Sequence, residues 1–187
     1  MRRAVWLALV LALTGIAVLA LGQTAQLDAS ATVVLLIRHA EKAAQPVDDP
    51  PLTPDGRYRA EALAGVVKDA HTTAIITTQL RRTAETAQPS AAALGVTPEV
   101  VPVSAGNTQQ YAVDVAAAVL KHPGKTVLVV GHGNTVPEII AALRGPHLPD
   151  ICEQIYDRLF VMVLGKEARL IQSRYGAPGP PPTPDCN

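Results

Sequence analysis

The sequence predicts an α/β fold, a three-layer sandwich whose mostly parallel central sheet is flanked by helices. Three observations predict it. From residue 31 onward, short runs rich in Val, Ile and Leu recur along the chain. Between them lie longer stretches whose apolar residues fall at helical spacing. Clusters of Gly, Pro and Asp separate the two kinds of segment.

Residues 31–37 are continuously apolar apart from Thr32 and form the first strand, ending at Arg38-His39. Asp48-Asp49-Pro50-Pro51 then interrupts regular structure. A helix follows: Thr53 is a cap, Pro54 suits the first turn, and Leu63, Val66 and Val67 supply part of the buried face. Residues 74–77 are the second strand and residues 80–94 the second helix, which Pro89 should end or kink and Gly95 should stop. Residues 100–103 suit an edge strand, because Pro102 lacks an amide hydrogen that only an edge leaves unused. Residues 108–120 read as a helix stopped by His122-Pro123-Gly124, and residues 126–130 as the strongest strand. Gly131-His132-Gly133-Asn134 makes a turn, with Asn134 placed to cap a short helix that runs through Leu143 and stops at Gly145-Pro146. Residues 158–164 and 168–174 close the fold as a hairpin around Gly165-Lys166.

The 187 residues suffice for one domain, which takes about 100 to 200. Residues 1–22 are a separate unit: Arg2 and Arg3 precede an apolar run from Val5 to Leu21, the layout of a signal peptide or, if uncleaved, an N-terminal anchor. Residues 31–175 make the domain, and residues 176–187 are a tail rich in Pro and Gly. The chain is therefore expected to be exported, to a periplasmic or extracellular location. In an oxidising compartment an even pair, Cys152 and Cys186, suits a disulfide that ties down the tail, with two unpaired thiols as the alternative. Lys and Arg number 16 against 16 Asp and Glu, so no net field draws the protein to nucleic acid, and membrane contact is expected only through an uncleaved N-terminus. Aromatic residues make up 3% of the chain, too few for base-stacking platforms.

Ligand sites of open α/β sheets lie beyond the carboxyl ends of the strands. Three strands here deliver a cationic or imidazole side chain at that place: Arg38-His39, Arg82 and His132. Arg82 also opens a helix, whose first amides and dipole favour an anion. Two guanidinium groups, two imidazoles and a helix N-terminus describe a pocket for a dianionic phosphoryl group. Neither a metal nor another cofactor is expected.

Four segments carry a more specific signal. Leu36-Ile37-Arg38-His39-Ala40-Glu41, Leu52-Thr53-Pro54-Asp55-Gly56 with Arg59-Ala60, the stretch from Thr77 through Arg81 and Arg82 to Ala87, and Val130-Gly131-His132-Gly133 resemble, in order and spacing over residues 31–145, the histidine phosphatase superfamily. The resemblance implies a phosphoglycerate mutase-like fold, His39 as nucleophile, and Arg38, Arg82 and His132 around the phosphoryl oxygens. It selects Arg82, two residues after Leu80, and leaves Arg81 solvated. A neutral imidazole can attack phosphorus and form a phosphohistidine, so that hydrolysis proceeds in two displacements.

In one respect the chain departs from the family. The positions where many members carry a proton-donating Glu or Asp hold Ser104-Ala105-Gly106-Asn107 and Gly133. Glu41 is the nearest carboxylate in sequence and a candidate acid, with a structural salt bridge or cap as the competing role. The expected activity is a metal-independent phosphatase acting on a small phosphorylated substrate or a phosphoprotein. The alternatives are a non-catalytic phosphate- or partner-binding member of the fold and a phosphomutase. Specificity is expected to reside in residues 42–52, 104–110 and 145–157.

Overall fold

The computed structural model describes residues 31–179 and residue 181. The signal or anchor expected over residues 1–22 and the Cys186 partner of the expected disulfide lie outside the described residues. The described chain folds into six strands and four helices: β1 (Thr32–Arg38), α1 (Pro54–Asp69), β2 (Thr72–Thr77), α2 (Arg81–Leu94), β3 (Glu99–Val100), α3 (Thr108–Leu120), β4 (Thr126–Gly131), α4 (Thr135–Ala142), β5 (Arg158–Leu164) and β6 (Ala168–Arg174).

One sheet contains all six strands in the order β3-β2-β4-β1-β5-β6. The first four are parallel, while β5 and β6 form the antiparallel hairpin. Because successive strand side chains point to opposite faces, β1 divides its residues between two cores. Val34 and Leu36 join Val127, Val129, Phe160 and Met162 beneath α3 and α4. Leu35 and Ile37 join Leu128, Val130 and Leu159 beneath α1 and α2, where Leu63, Val67, Ala87 and Ala91 meet them. Two-sided burial is why β1 and β4 read as unbroken apolar runs. The outcome is the predicted three-layer α/β sandwich.

The caps follow their chemistry. The Gly56 amide donates to Thr53 Oγ1 at 3.1 Å, and Gly95 closes α2 in the left-handed conformation at φ 66°. Two local expectations are corrected. Pro89 does not end α2, which continues to Leu94, because its Thr83, Thr86, Ala87, Ser90 and Ala91 face is buried on both sides of the proline. Strand β3 stops at Val100 instead of Val103. Past Val101, whose amide reaches the Thr77 carbonyl, Pro102 has no hydrogen to donate, and Val103 bonds the Gln79 side-chain amide through both its N–H and its carbonyl.

The segment after β6 is tied to the domain. Arg59, 6% exposed, donates to the carbonyls of Tyr175 and Ala177 at 3.0 and 2.9 Å. The Gly179 amide donates to buried Asp157 Oδ2 at 3.1 Å, which also accepts from Arg174 at 2.6 Å. Burial opposes ionisation of Asp157, but these two donors overcome it and hold its carboxyl below the usual range.

Candidate active site

Register brings the two histidines together. In the parallel β1–β4 pair, Ile37 lies opposite Val130 and Arg38 opposite Gly131. His39 and His132 are the next residues after each strand, so they emerge side by side past the same end of the sheet. The His39 amide donates to the Gly131 carbonyl at 2.9 Å, extending that pairing by one step. The rings lie 5.5 Å apart between centroids, with their planes inclined by 62°.

The His39 tautomer follows from a hydrogen bond. Nδ1 lies 2.8 Å from the Ala40 carbonyl, which can only accept, so Nδ1 carries the proton and Nε2 keeps its lone pair. At 3% exposure, burial lowers the His39 pKa to about 3, and the positive charges of Arg38 and Arg82, together with His132, act in the same direction even though the Ala40 bond opposes them. Burial also lowers His132 to about 4, aided by Arg82 and Arg38. Both imidazoles are therefore neutral at neutral pH. Thr78 Oγ1 lies 3.3 Å from His132 Nε2, and the His132 amide donates to Thr135 Oγ1 at 2.8 Å.

A cleft of about 600 Å³ gathers Arg38, His39, Arg82 and His132, together with the N-terminal residues of α3 and α4. Arg38, 3% exposed, is held by the loop before β5. Its Nη1 donates to the carbonyls of Cys152 and Glu153 at 2.8 and 2.9 Å, its Nη2 to Glu153 Oε2 at 2.6 Å, and its guanidinium carbon lies 4.3 Å from the centre of the Tyr156 ring. The Nε–H groups of Arg38 and of Arg82 are buried and have no protein acceptor. Two guanidinium groups with unused donors lining one cleft form an anion receptor. Among the described residues, no group of three or more His, Cys, Asp or Glu side chains is placed to hold a metal ion.

Arg82 lines the cleft, whereas its neighbour Arg81 turns outward to pair with Glu85. The start of α2 is satisfied by Asp49, whose Oδ1 accepts the Arg81 amide at 2.8 Å and lies 3.9 Å from Arg82 Nη1. Glu41 is not in the cleft. Arg59 grips its carboxylate through Nε at 2.9 and 3.0 Å and through Nη2 at 2.7 Å, and Glu41 lines a separate hollow with Asp55 and Tyr58. The candidate acid is thus a structural partner, its side chain drawn away by a buried cation. Asn134 precedes α4 without capping it through its side chain, and lines the cleft instead.

Several cleft side chains were indicated by the sequence only as members of a loop or motif, with no individual role. Lys42, Gln79, Asp150 and Glu153 line the cleft, and Tyr156 lies under Arg38 with its ring 6.1 Å from that of His39. They come from loops that only the folded chain places there.

The model of the histidine phosphatase superfamily, branch 1, matches residues 34–103, the span that holds Arg38, His39 and Arg82. Over that span the chain is similar to the histidine phosphatase superfamily. No curated protein sequence matches it. Solved structures share its phosphoglycerate mutase-like fold. The protein histidine phosphatase SixA complexed with tungstate is 19% identical with a TM-score of 0.62, over 76% of this chain and 96% of that one. A mycobacterial glucosyl-3-phosphoglycerate phosphatase is 17% identical with a TM-score of 0.59, over 78% and 99%. A phosphohistidine phosphatase SixA, described as such provisionally, from Agrobacterium tumefaciens is 23% identical with a TM-score of 0.55, over 78% and 98%. At these identities the similarity speaks for the fold.

Proposed function

We propose that this chain is a phosphatase that hydrolyses a phosphate monoester or a phosphohistidine through a phosphohistidine formed on His39. The observation that carries the reading is the His39 tautomer: an imidazole whose Nδ1–H is spent on the Ala40 carbonyl presents Nε2 as a nucleophile, beside two arginines with unused donors. In the first step Nε2 attacks phosphorus and the bond to the leaving group breaks. Arg38, Arg82 and His132 surround the equatorial oxygens, so charge is stabilised and the group is aligned with little other chemistry required. In the second step water attacks the phosphohistidine and phosphate departs, returning His39 to its neutral form.

The neighbours of known fold, which include a protein histidine phosphatase and a phosphoglycerate-type phosphatase, support this class of reaction. A small phosphorylated molecule or a phosphoprotein is the substrate. The layout of residues 1–22 supports action outside the cytoplasm.

Purified full-length protein should hydrolyse p-nitrophenyl phosphate or a phosphohistidine peptide in the presence of a chelator. Rapid acid-free quenching with a 32P-labelled substrate should trap label on His39, and His39→Ala should abolish it. A protein that binds phosphate with wild-type stability but never becomes labelled is a binding module, and the proposal fails.

A further inference from the structure

Glu41 is committed to Arg59, so if a leaving oxygen receives a proton, another group must supply it. Among the described residues, Asp150 and Glu153 are the carboxylates that line the cleft. Glu153 alone of the two has a recorded contact with a phosphate-binding side chain, its Oε2 lying 2.6 Å from Arg38 Nη2. The backbone carbonyl of Glu153 also accepts from Arg38 Nη1, so its Cα is pinned to the same guanidinium. The Ile151 amide donates to the Gly133 carbonyl at 2.9 Å, which fixes the start of that loop to the His132 turn. The position of Glu153 is therefore rigid relative to both sides of the site. Its side chain is not confined, being 69% exposed and otherwise 3.5 Å from Lys42 Nζ.

We propose that Glu153 is the proton donor to the leaving group, a catalytic residue contributed by the loop before β5. The assignment rests on the phosphatase reading above. Without substrate the carboxylate pairs with Arg38 and Lys42. A phosphoryl dianion that takes over Arg38 displaces the carboxylate, which takes a proton from solvent and turns toward the leaving oxygen. As the Nε2–P bond forms and the P–O bond breaks, the Glu153 carboxyl gives its proton to the departing oxygen. In the second step the attacking water gives its proton to solvent as the phosphohistidine is cleaved, and the Glu153 carboxylate pairs again with Arg38 and Lys42. One water is consumed, and Glu153 and His39 both return to their starting forms.

The test compares leaving groups. Glu153→Gln keeps the shape of an exposed side chain and removes the proton. General acid catalysis contributes about 10²- to 10⁴-fold where the leaving group is basic, so kcat for glycerol 2-phosphate should fall at least about 100-fold. For p-nitrophenyl phosphate, whose phenolate departs without a proton, the loss should stay below about 5-fold, and label should still accumulate on His39. Equal losses on both substrates would assign Glu153 to the positioning of Arg38 and overturn the proposal, as would unchanged turnover of glycerol 2-phosphate. The same leaving-group-dependent loss in Asp150→Asn, and not in Glu153→Gln, overturns it in favour of Asp150. If the wild-type protein never labels at His39, the phosphatase reading itself falls; if it labels while Glu153→Gln shows no leaving-group dependence, only the donor assignment falls.

Discussion

Arg59 is the side chain whose removal should reach furthest through the fold. It is 6% exposed, pairs bidentately with Glu41, and donates to the Tyr175 and Ala177 carbonyls. Arg59→Ala leaves a largely buried carboxylate and two carbonyls without their donor. Breaking a buried ion pair from one side costs about 3 to 5 kcal/mol, and we expect about 4 kcal/mol here. For a chain of this size that lowers Tm by about 8 to 16 °C. Glu41→Ala should cost less, about 2 kcal/mol, because Arg59 keeps its two carbonyl acceptors. The double variant should be no worse than Arg59→Ala, which makes the coupling energy about 2 kcal/mol. Urea denaturation of the four proteins measures the cycle. Additive effects, or a loss under about 1 kcal/mol for Arg59→Ala, would mean that the pair behaves as a solvent-exposed bridge and that the buried-clamp argument is wrong. Glu41→Gln adds a second check: assayed well below its Tm, it should retain the wild-type ratio of activities on alkyl and aryl phosphates, which a proton donor at Glu41 would not allow.

The remaining predictions concern the site. In the unliganded protein, the NMR ring signals of His39 and His132 should show no titration between pH 8 and 5, since burial lowers these groups to about 3 and about 4; a midpoint near the ordinary histidine value would contradict the geometry. The sign for stability follows: the unfolded chain takes up protons on both histidines below its pKa of about 6.5 while the folded chain does not, so the urea midpoint should fall as pH drops from 7 to 5, and His39→Gln should lessen that slope. Gly133→Ala would set a Cβ 2.7 Å from the Ile151 carbonyl, forcing apart the His132 turn and the loop that holds Arg38; we expect turnover to fall by about 10- to 100-fold, measured with p-nitrophenyl phosphate, with the fold retained by circular dichroism. Tyr156→Leu removes the ring beneath Arg38 and should weaken inorganic phosphate binding by about 2- to 5-fold, read by calorimetry.

Much of the architecture was legible because its signals are local. The hairpin of β5 and β6, the span of α3, the Thr53 cap and the Gly95 stop each depend on residues within a few positions of one another, and all fall where their chemistry places them. The misses have equally physical causes. Pro89 was read by its intrinsic cost to a helix, which the packing of the surrounding buried face outweighs. Strand β3 was read by its β-branched residues, but an edge strand lasts only as long as its neighbour can pair with it, and Pro102 ends that pairing.

From its own residues the chain determines where strands end and that Arg38, His39, Arg82 and His132 stand at those ends, since strand length and hydrophobic period are written in consecutive side chains. That β1 and β4 are parallel neighbours in the register that sets the two imidazoles 5.5 Å apart was decided by the assembled sheet. So was the division of the carboxylates, Glu41 taken by Arg59 from a helix 18 residues on and Glu153 brought to Arg38 across 115 residues. Partners so distant in the chain are chosen by which surfaces pack, and no local pattern of residues records that choice.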